Sequence, residues 1–309
     1  MANVVLNLVL LILSILLLWK GSGWLVESAS RIGRRFNMSD LTIGLTIVAF
    51  GTSAPEFAVT VSAAISGKAD ISVGNIVGSN IFNLGFILGG CAVFKALKTS
   101  PSIVYRDGGL LIGTTLMLTY MLHDHYLSRI EGIILFTGLI GYIFILFSQK
   151  KTTDASDIPA GIATWKDVPL LLVGIAGVVG GGHLLVESSS ELARMMGLSE
   201  WLIAVTIVAA GTSAPEFATS LMAAAKGRHG MSLGNLVGSD LFNLLGVLGL
   251  AGIIRNMQVA EDSMSSIYML VGMCVLAVFF MRTGWKISKW EGAVLISVGL
   301  ARWIIDFAT

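Results

Sequence analysis

Two glutamates stand with apolar sequence on both sides. Glu56 lies in VAFGTSAPEFAVTV and Glu216 in VAAGTSAPEFATSL. Neither stretch gives a short carboxylate a nearby polar interface to reach. An acid placed at such depth in a bilayer costs about 2.5–3.5 kcal/mol on insertion scales, and a bound cation is the obvious compensation. The neighbouring residues suit that role. Pro55 and Pro215 have no amide hydrogen, so the carbonyls of Gly51 and Gly211 lose their helical donors. A helix broken at membrane depth is tolerated where its backbone lines a polar cavity. The freed carbonyls sit beside the hydroxyls of Thr52, Ser53, Thr212 and Ser213. Asn83 and Asn243 add amide oxygens, and Ser79 and Ser239, four residues earlier on the same helix face, add hydroxyls. Two carboxylates with hydroxyl, carbonyl and amide oxygens form a hard-cation set, suited to Ca2+ and Na+ rather than zinc or copper.

Charge sets what such a site can exchange. Two ionised glutamates neutralise one Ca2+, and the same pair holds two or three Na+ with a small residual charge. Two ions competing for one site is what antiport needs, because a ligand moves a conformational equilibrium only through differential affinity. The blander reading of Gly-Thr-Ser in a membrane helix is packing, since small residues let helices approach. Recurrence of the motif with a buried glutamate in the same register argues for more than packing. Gly74, Gly78, Gly234 and Gly238 stay as packing residues, His183 as a satisfied interior histidine and Lys20 as a snorkelling side chain. Glu27 and Glu187 fall near helix ends and read equally as ion-pair partners or gating groups.

The elements that position these residues follow from composition. Hydrophobic residues make up 55% of the 309, charged residues 13%, and mean hydropathy is +0.83. A soluble domain carries about 25% charged residues, so this chain cannot cover a water-facing surface. A net charge of +1 argues against nucleic acid as a partner. Cys91 and Cys274 lie in apolar stretches and read as small buried hydrophobes, with no disulfide framework or zinc spacing. No cofactor and no obligatory protein partner is implied; the partners are the lipid bilayer and the ions themselves. The N-terminal apolar run has no basic residue before it and several after it, the reverse of a signal peptide. It reads as a retained first membrane helix.

Ten apolar spans are expected, roughly 3–26, 40–66, 71–94, 107–122, 129–148, 167–190, 200–225, 231–254, 264–281 and 289–307. The long polar break is 149–166. The chain repeats itself across that break. GTSAPEFA at 51–58 returns at 211–218, and GNIVGSNIFNL at 74–84 returns as GNLVGSDLFNL at 234–244. Glu27 and Glu187 keep the same offset of 160, and about half of residues 21–90 are identical to 181–250. The expected fold is therefore an all-α membrane protein of ten transmembrane helices in two five-helix repeats, 1–148 and 167–309, joined by the linker 149–166. An odd number of spans per repeat inverts the second copy. With both termini outside, the inside loops hold fourteen basic residues, among them Arg31, Arg34, Lys95, Lys150 and Lys226. The outside holds Lys68, Arg129, Arg194, Arg255 and Arg302. This bias predicts a multi-pass protein of the cell membrane with a cytoplasmic linker. Inverted repeats with a site at their interface are a common secondary-transporter architecture.

GTSAPEF in both halves, each followed by a GN-x-V-G-S-x-x-F-N stretch, resembles the two alpha-repeats of the Ca2+/cation antiporter superfamily, nearest its prokaryotic sodium/calcium exchangers. The resemblance covers both repeats. It implies alternating access, with Ca2+ held by Glu56 and Glu216 and the carbonyls of Thr52 and Thr212. It implies flanking Na+ sites using Ser53, Ser213, Ala49 and Ala209, and a central cluster completed by Ser79, Ser239 and Asn83. The archaeal exchanger pattern has an aspartate where this chain has Asn243, and here an acid stands at Asp240 instead. Asp240 is either a displaced third acid of the cluster or a residue facing a headgroup or loop; the repeat register, which matches 243 to 83, favours the second. A H+/Ca2+ antiporter is the alternative within transporters. An intramembrane hydrolase using Ser53 or Ser213 lacks a nucleophile elbow and a placed histidine.

Overall fold

A computed structural model describes residues 2–148, 161–198, 203, 207, 209–261 and 263–308. Among these, the chain is helical apart from four two-residue strands. The long helices are α1 (Ala2–Arg35), α2 (Asp40–Thr52), α3 (Ala54–Ile65), α4 (Ala69–Phe94), α5 (Gly109–Met121) and α6 (Arg129–Ser148). They continue with α7 (Asp167–Met195), the short α8 (Ala209–Thr212), α9 (Ala214–Ala225), α10 (His229–Ile254), α11 (Ser263–Arg282) and α12 (Lys289–Ala308). Six of these helices are individually long and apolar enough to cross a membrane, and the bent pair α2–α3 makes a seventh if counted as one span. The expected span 200–225 lies partly outside the described residues, as does most of the linker.

The first helix differs from expectation. It runs unbroken to Arg35, so Arg31, Arg34 and Arg35 belong to its last turns and not to a loop. At about 1.5 Å per residue, its 34 residues reach well past a hydrocarbon core. α1 packs along α7 in antiparallel register. A Cβ at Gly174 would lie 2.7 Å from Leu25 N, and one at Gly181 3.0 Å from Leu18 N. Only glycine lets the two backbones approach so closely. The same logic joins α2 to α10. A Cβ at Gly44 would meet Met231 O at 2.5 Å, and one at Gly234 would meet Leu41 O at 2.5 Å. Gly234 and Gly238 are packing residues, as their positions suggested, whereas a Cβ at Gly74 or Gly78 would meet nothing within 4 Å, so these two are not.

The helices that carry the motifs are irregular at the motifs. α2 and α3 meet at Ser53 (φ −78°, ψ 12°) with a bend of 53°. Pro55 sits in the first turn of α3, where its missing N–H is harmless. Ser213 has the matching conformation (φ −88°, ψ 9°) ahead of Pro215 in α9. Wider π-type turns interrupt α2 at Gly44–Val48, α4 at Asn83–Ile87 and α10 at Phe242–Val247. Such turns carry one extra residue per loop and concentrate at functional sites. Two antiparallel ladders tie the halves together: β1 (Leu97–Lys98) pairs with β4 (Lys286–Ile287), and β2 (Tyr126–Leu127) with β3 (Met257–Gln258). Each ladder becomes the other when 160 is added to or subtracted from its residue numbers. Between these connections lies an apolar core running through α4, α5, α6, α10 and α11, and a second, smaller cluster joins α1, α2, α7 and α9.

Candidate cation site

The two motif glutamates come together where the repeats meet. Glu56 and Glu216 are 1% and 0% exposed. Each is held by a serine from the other repeat. Ser213 Oγ donates to Glu56 Oε1 at 3.2 Å, and Ser53 Oγ donates to Glu216 Oε1 at 3.2 Å. Ser79 lies beside Glu56, and Thr52 beside Glu216. The second oxygen of each carboxylate, Oε2, is buried with no donor.

Asparagines brace the helices behind the acids. Asn75 Nδ2 donates to Thr60 Oγ1 at 2.9 Å and to Glu56 O at 3.4 Å. Asn235 repeats the pattern with Ser220 Oγ at 2.8 Å and Glu216 O at 3.4 Å. Asn235 Oδ1 also accepts from Thr52 Oγ1 at 3.2 Å, and Ser239 Oγ lies 3.5 Å from the same hydroxyl. The sequence reading did not single out the Asn75 and Asn235 side chains. Their signal was present, a GN dipeptide in an apolar span at the repeat offset.

Asn83, Asn243, Asn80 and Asp240 form a second buried group between α4 and α10. Asn83 Nδ2 donates to Asp240 Oδ1 at 3.0 Å, Asn243 Nδ2 to Asn80 Oδ1 at 3.1 Å, and Asn80 Nδ2 to Asp240 O at 3.1 Å. Asp240 is fully buried. It faces neither a headgroup nor a loop, which corrects the expectation drawn from the repeat register. Residue 240, on regular helix, is three positions from 243 and shares its face, and its repeat counterpart Asn80 is buried in the same way. Asp240 Oδ2, Asn83 Oδ1 and Asn243 Oδ1 have no donor. No three acidic, histidine or cysteine side chains converge on one point among the described residues.

The remaining predicted residues divide. Ser79, Ser239, Ser53, Ser213 and Thr52 are buried around the acids. Ala49 is buried, and its carbonyl accepts from Ser53 N at 3.0 Å and from Thr52 Oγ1 at 3.4 Å. Ala209 opens α8; its side chain lies outside the described set. Thr212 is half-buried and lines a cavity of about 400 Å3 with Pro55, Val59, His183, Val186 and Gly211. His183 is 83% exposed and 3.9 Å from Glu187, so it is not the satisfied interior histidine expected. Cys91 and Cys274 are buried and unbridged. A concentration of buried acceptor oxygens without donors is chemically a place for cations, because an unpaired acceptor in a low-dielectric interior is expensive.

Comparison with known proteins agrees. The family model described as sodium/calcium exchanger protein matches residues 6–148 and 166–299. The sodium/calcium exchanger MaX1 of Methanosarcina acetivorans is 30% identical, covering 97% of this chain and 98% of that protein. The inner membrane protein YrbG of Escherichia coli is 29% identical over 96% and 94%. A solved structure of the sodium-calcium exchanger NCX_Mj superposes with a TM-score of 0.86 at 29% identity, over 99% of both chains. The fold and family together define a multi-helix membrane transporter and not an enzyme. The chain belongs to the sodium/calcium exchanger protein family.

Proposed function

We propose that this protein exchanges Ca2+ for Na+ across the cell membrane by alternating access between two inverted five-helix repeats, residues 1–148 and 167–309, joined by the linker 149–166. The observation that carries this reading is the crossed pair of buried glutamates, each with one carboxylate oxygen lacking any protein donor. Ca2+ binds between them and cancels their two charges. Thr52, Thr212, Ser53, Ser213, Ser79 and Ser239 supply neutral oxygens, while the neighbourhoods of Ala49 and Ala209 supply backbone oxygens for flanking Na+. Loaded with Na+, the same carboxylates attract no further divalent ion, so the two substrates alternate. The antiparallel register of α1 and α7 and the exchange of the two β ladders support the inversion. The exchanger NCX_Mj and MaX1, by their names, act on the same two ions.

The deciding measurement is 45Ca2+ uptake into proteoliposomes with outward gradients of Na+, K+ or H+ in turn. Uptake driven by Na+ alone is expected. Uptake driven only by a H+ gradient would replace this reading with a H+/Ca2+ antiporter, which the third buried acid, Asp240, favours. Orientation has its own test. Cysteines placed at Thr153 and at Thr309 are expected to label with an impermeant reagent from opposite sides, the first from the cytoplasm. Labelling of both from one side would remove the inverted arrangement.

A further inference from the structure

The internal repeat makes the two ends of the molecule comparable residue by residue, and the two ends are not in the same state. The cavity beside Thr212 is lined by Pro55, Val59 and Val186. Their counterparts 160 residues away are Thr52, Pro215, Thr219 and Val26. Val59 is 38% exposed where Thr219 is 0% exposed, and Pro55, Val186 and Thr212 are half-buried where Pro215, Val26 and Thr52 are buried. One end therefore gives access toward the motif residues, and the other is shut.

The shut end carries ion pairs between the repeats. Lys226, at the end of α9, bonds Glu27 of α1. Arg31 of α1 bonds Asp167, the first residue of α7, at 2.6 Å, and also approaches Glu27 at 3.9 Å. Arg228, ahead of α10, bonds Asp40 of α2 at 3.1 Å, beside Arg34 at 3.2 Å. By the loop charges this end is cytoplasmic. The offset of 160 shows which of these contacts the opposite end can reproduce. Arg228–Asp40 maps onto Lys68 and Glu200, again a cation and an acid. Lys226–Glu27 maps onto Ser66 and Glu187, and Arg31–Asp167 onto Glu191 and Asn7. Neither of these is an ion pair. The antiparallel register of α1 and α7 sets residue 7 opposite residue 191, where an amide faces a carboxylate. Glu191 turns to Arg194 on its own helix at 2.6 Å. Glu187, at the open end, has His183 at 3.9 Å, where Glu27 has Lys226 and Arg31.

The α1–α7 contacts are present at both ends at once, Gly21 on Val178 and Gly181 on Leu18, so Arg31–Asp167 does not tell the two states apart. We propose that Lys226–Glu27, between α9 and α1, forms a one-sided ionic latch that biases the transporter at rest toward the state closed at that end, because its counterpart at the other end, Ser66 and Glu187, is no ion pair. The proposal rests on the two-state reading above. In a perfectly repeated chain the two access states would be equal in energy, since symmetry converts one into the other. The difference between them is then carried by positions where the copies differ across the moving interface. A ligand arriving from the latched side binds a minor state, and its apparent affinity falls by the fraction of that state.

The test exchanges residues between the mirror positions and reads accessibility directly. With Cys91 and Cys274 replaced by alanine, single reporters V26C, at the shut end, and V186C, at the open end, are labelled with an impermeant maleimide in proteoliposomes. K226S installs the residue found at 66. V26C labelling is expected to rise about threefold and V186C labelling to fall, within the range for one partly exposed ion pair. S66K gives Glu187 the partner that Glu27 has, and is expected to shift both rates the other way by about threefold. Unchanged rates in K226S, or rates that rise together at both ends, would overturn the latch. A V26C reporter unreactive in every variant and at saturating Na+ or Ca2+ would mean that this end never opens, and the two-state reading would fall with the latch. Intact labelling shifts without Na+-driven Ca2+ uptake would remove the exchange reading alone.

Discussion

Glu56→Gln is expected to abolish Ca2+ uptake, and Glu216→Gln to do the same, in protein that still folds and inserts. Each glutamate supplies half of the charge that offsets a divalent ion in a site with almost no exposure. Removing one partner of a buried charge pair costs about 2–5 kcal/mol, so Ca2+ affinity should fall at least about thirtyfold. The variants also carry a signature that a merely structural role would not produce. In the metal-free protein both carboxylates hold a buried oxygen with no donor. Glutamine keeps the oxygen that accepts from Ser213 or Ser53 and removes a buried charge. The metal-free variants should therefore melt no lower than the unmodified protein while losing the stabilisation that saturating Ca2+ gives. Near-normal uptake by either variant, or a large loss of metal-free stability, would show that the glutamate is not a ligand.

Asp240→Asn is expected to leave Ca2+ exchange working but to change what accompanies it. With Asp240 in the buried interior the acids number three, and a buried charge must be compensated. Ca2+ cancels two of the three, so a further Na+ or proton is needed at the third. Asp240 accepts from Asn83, while the two glutamates are held by the crossed serines, which suits a separate monovalent companion. Its removal should make the Na+ dependence of exchange shallower by about one ion, or flatten the pH profile if the companion is a proton. Combining it with Asn243→Asp moves the acid one turn along α10, to the archaeal position, and should restore the lost dependence. An Asp240→Asn protein with unchanged Na+ steepness and pH profile would show that the third acid takes no part.

Much of this arrangement was legible in the sequence because membrane burial makes polar residues conspicuous. Glu56 and Glu216 announce themselves as acids in apolar spans, and Pro55 and Pro215 mark where their helices bend. The repeat offset also carries the pairing of distant elements, so the crossed contacts of Ser53 and Ser213 needed only the two halves to meet. What resisted reading was local backbone irregularity. The π turns leave no compositional trace, yet they take in Asn83 and Asn243. The helical continuation of α1 through Arg35 was hidden for another reason. Charged residues at a helix end look like a loop when span length is judged by hydropathy alone.

The crossed serine–glutamate bonds have the form of a homodimer contact: residue 53 of one half meets the acid of the other half, and the relation holds in reverse. Contacts of this kind are self-complementary, so one surface closes on its own copy without a second design. Two unlinked copies of a single five-helix chain bearing GTSAPEF would make both bonds at once. In this fused chain the same geometry binds the halves to a shared history. A substitution at Ser53 strips a donor from Glu216 and leaves Glu56 with its own, so damage in one copy surfaces in the other. Neither half is free to drift alone.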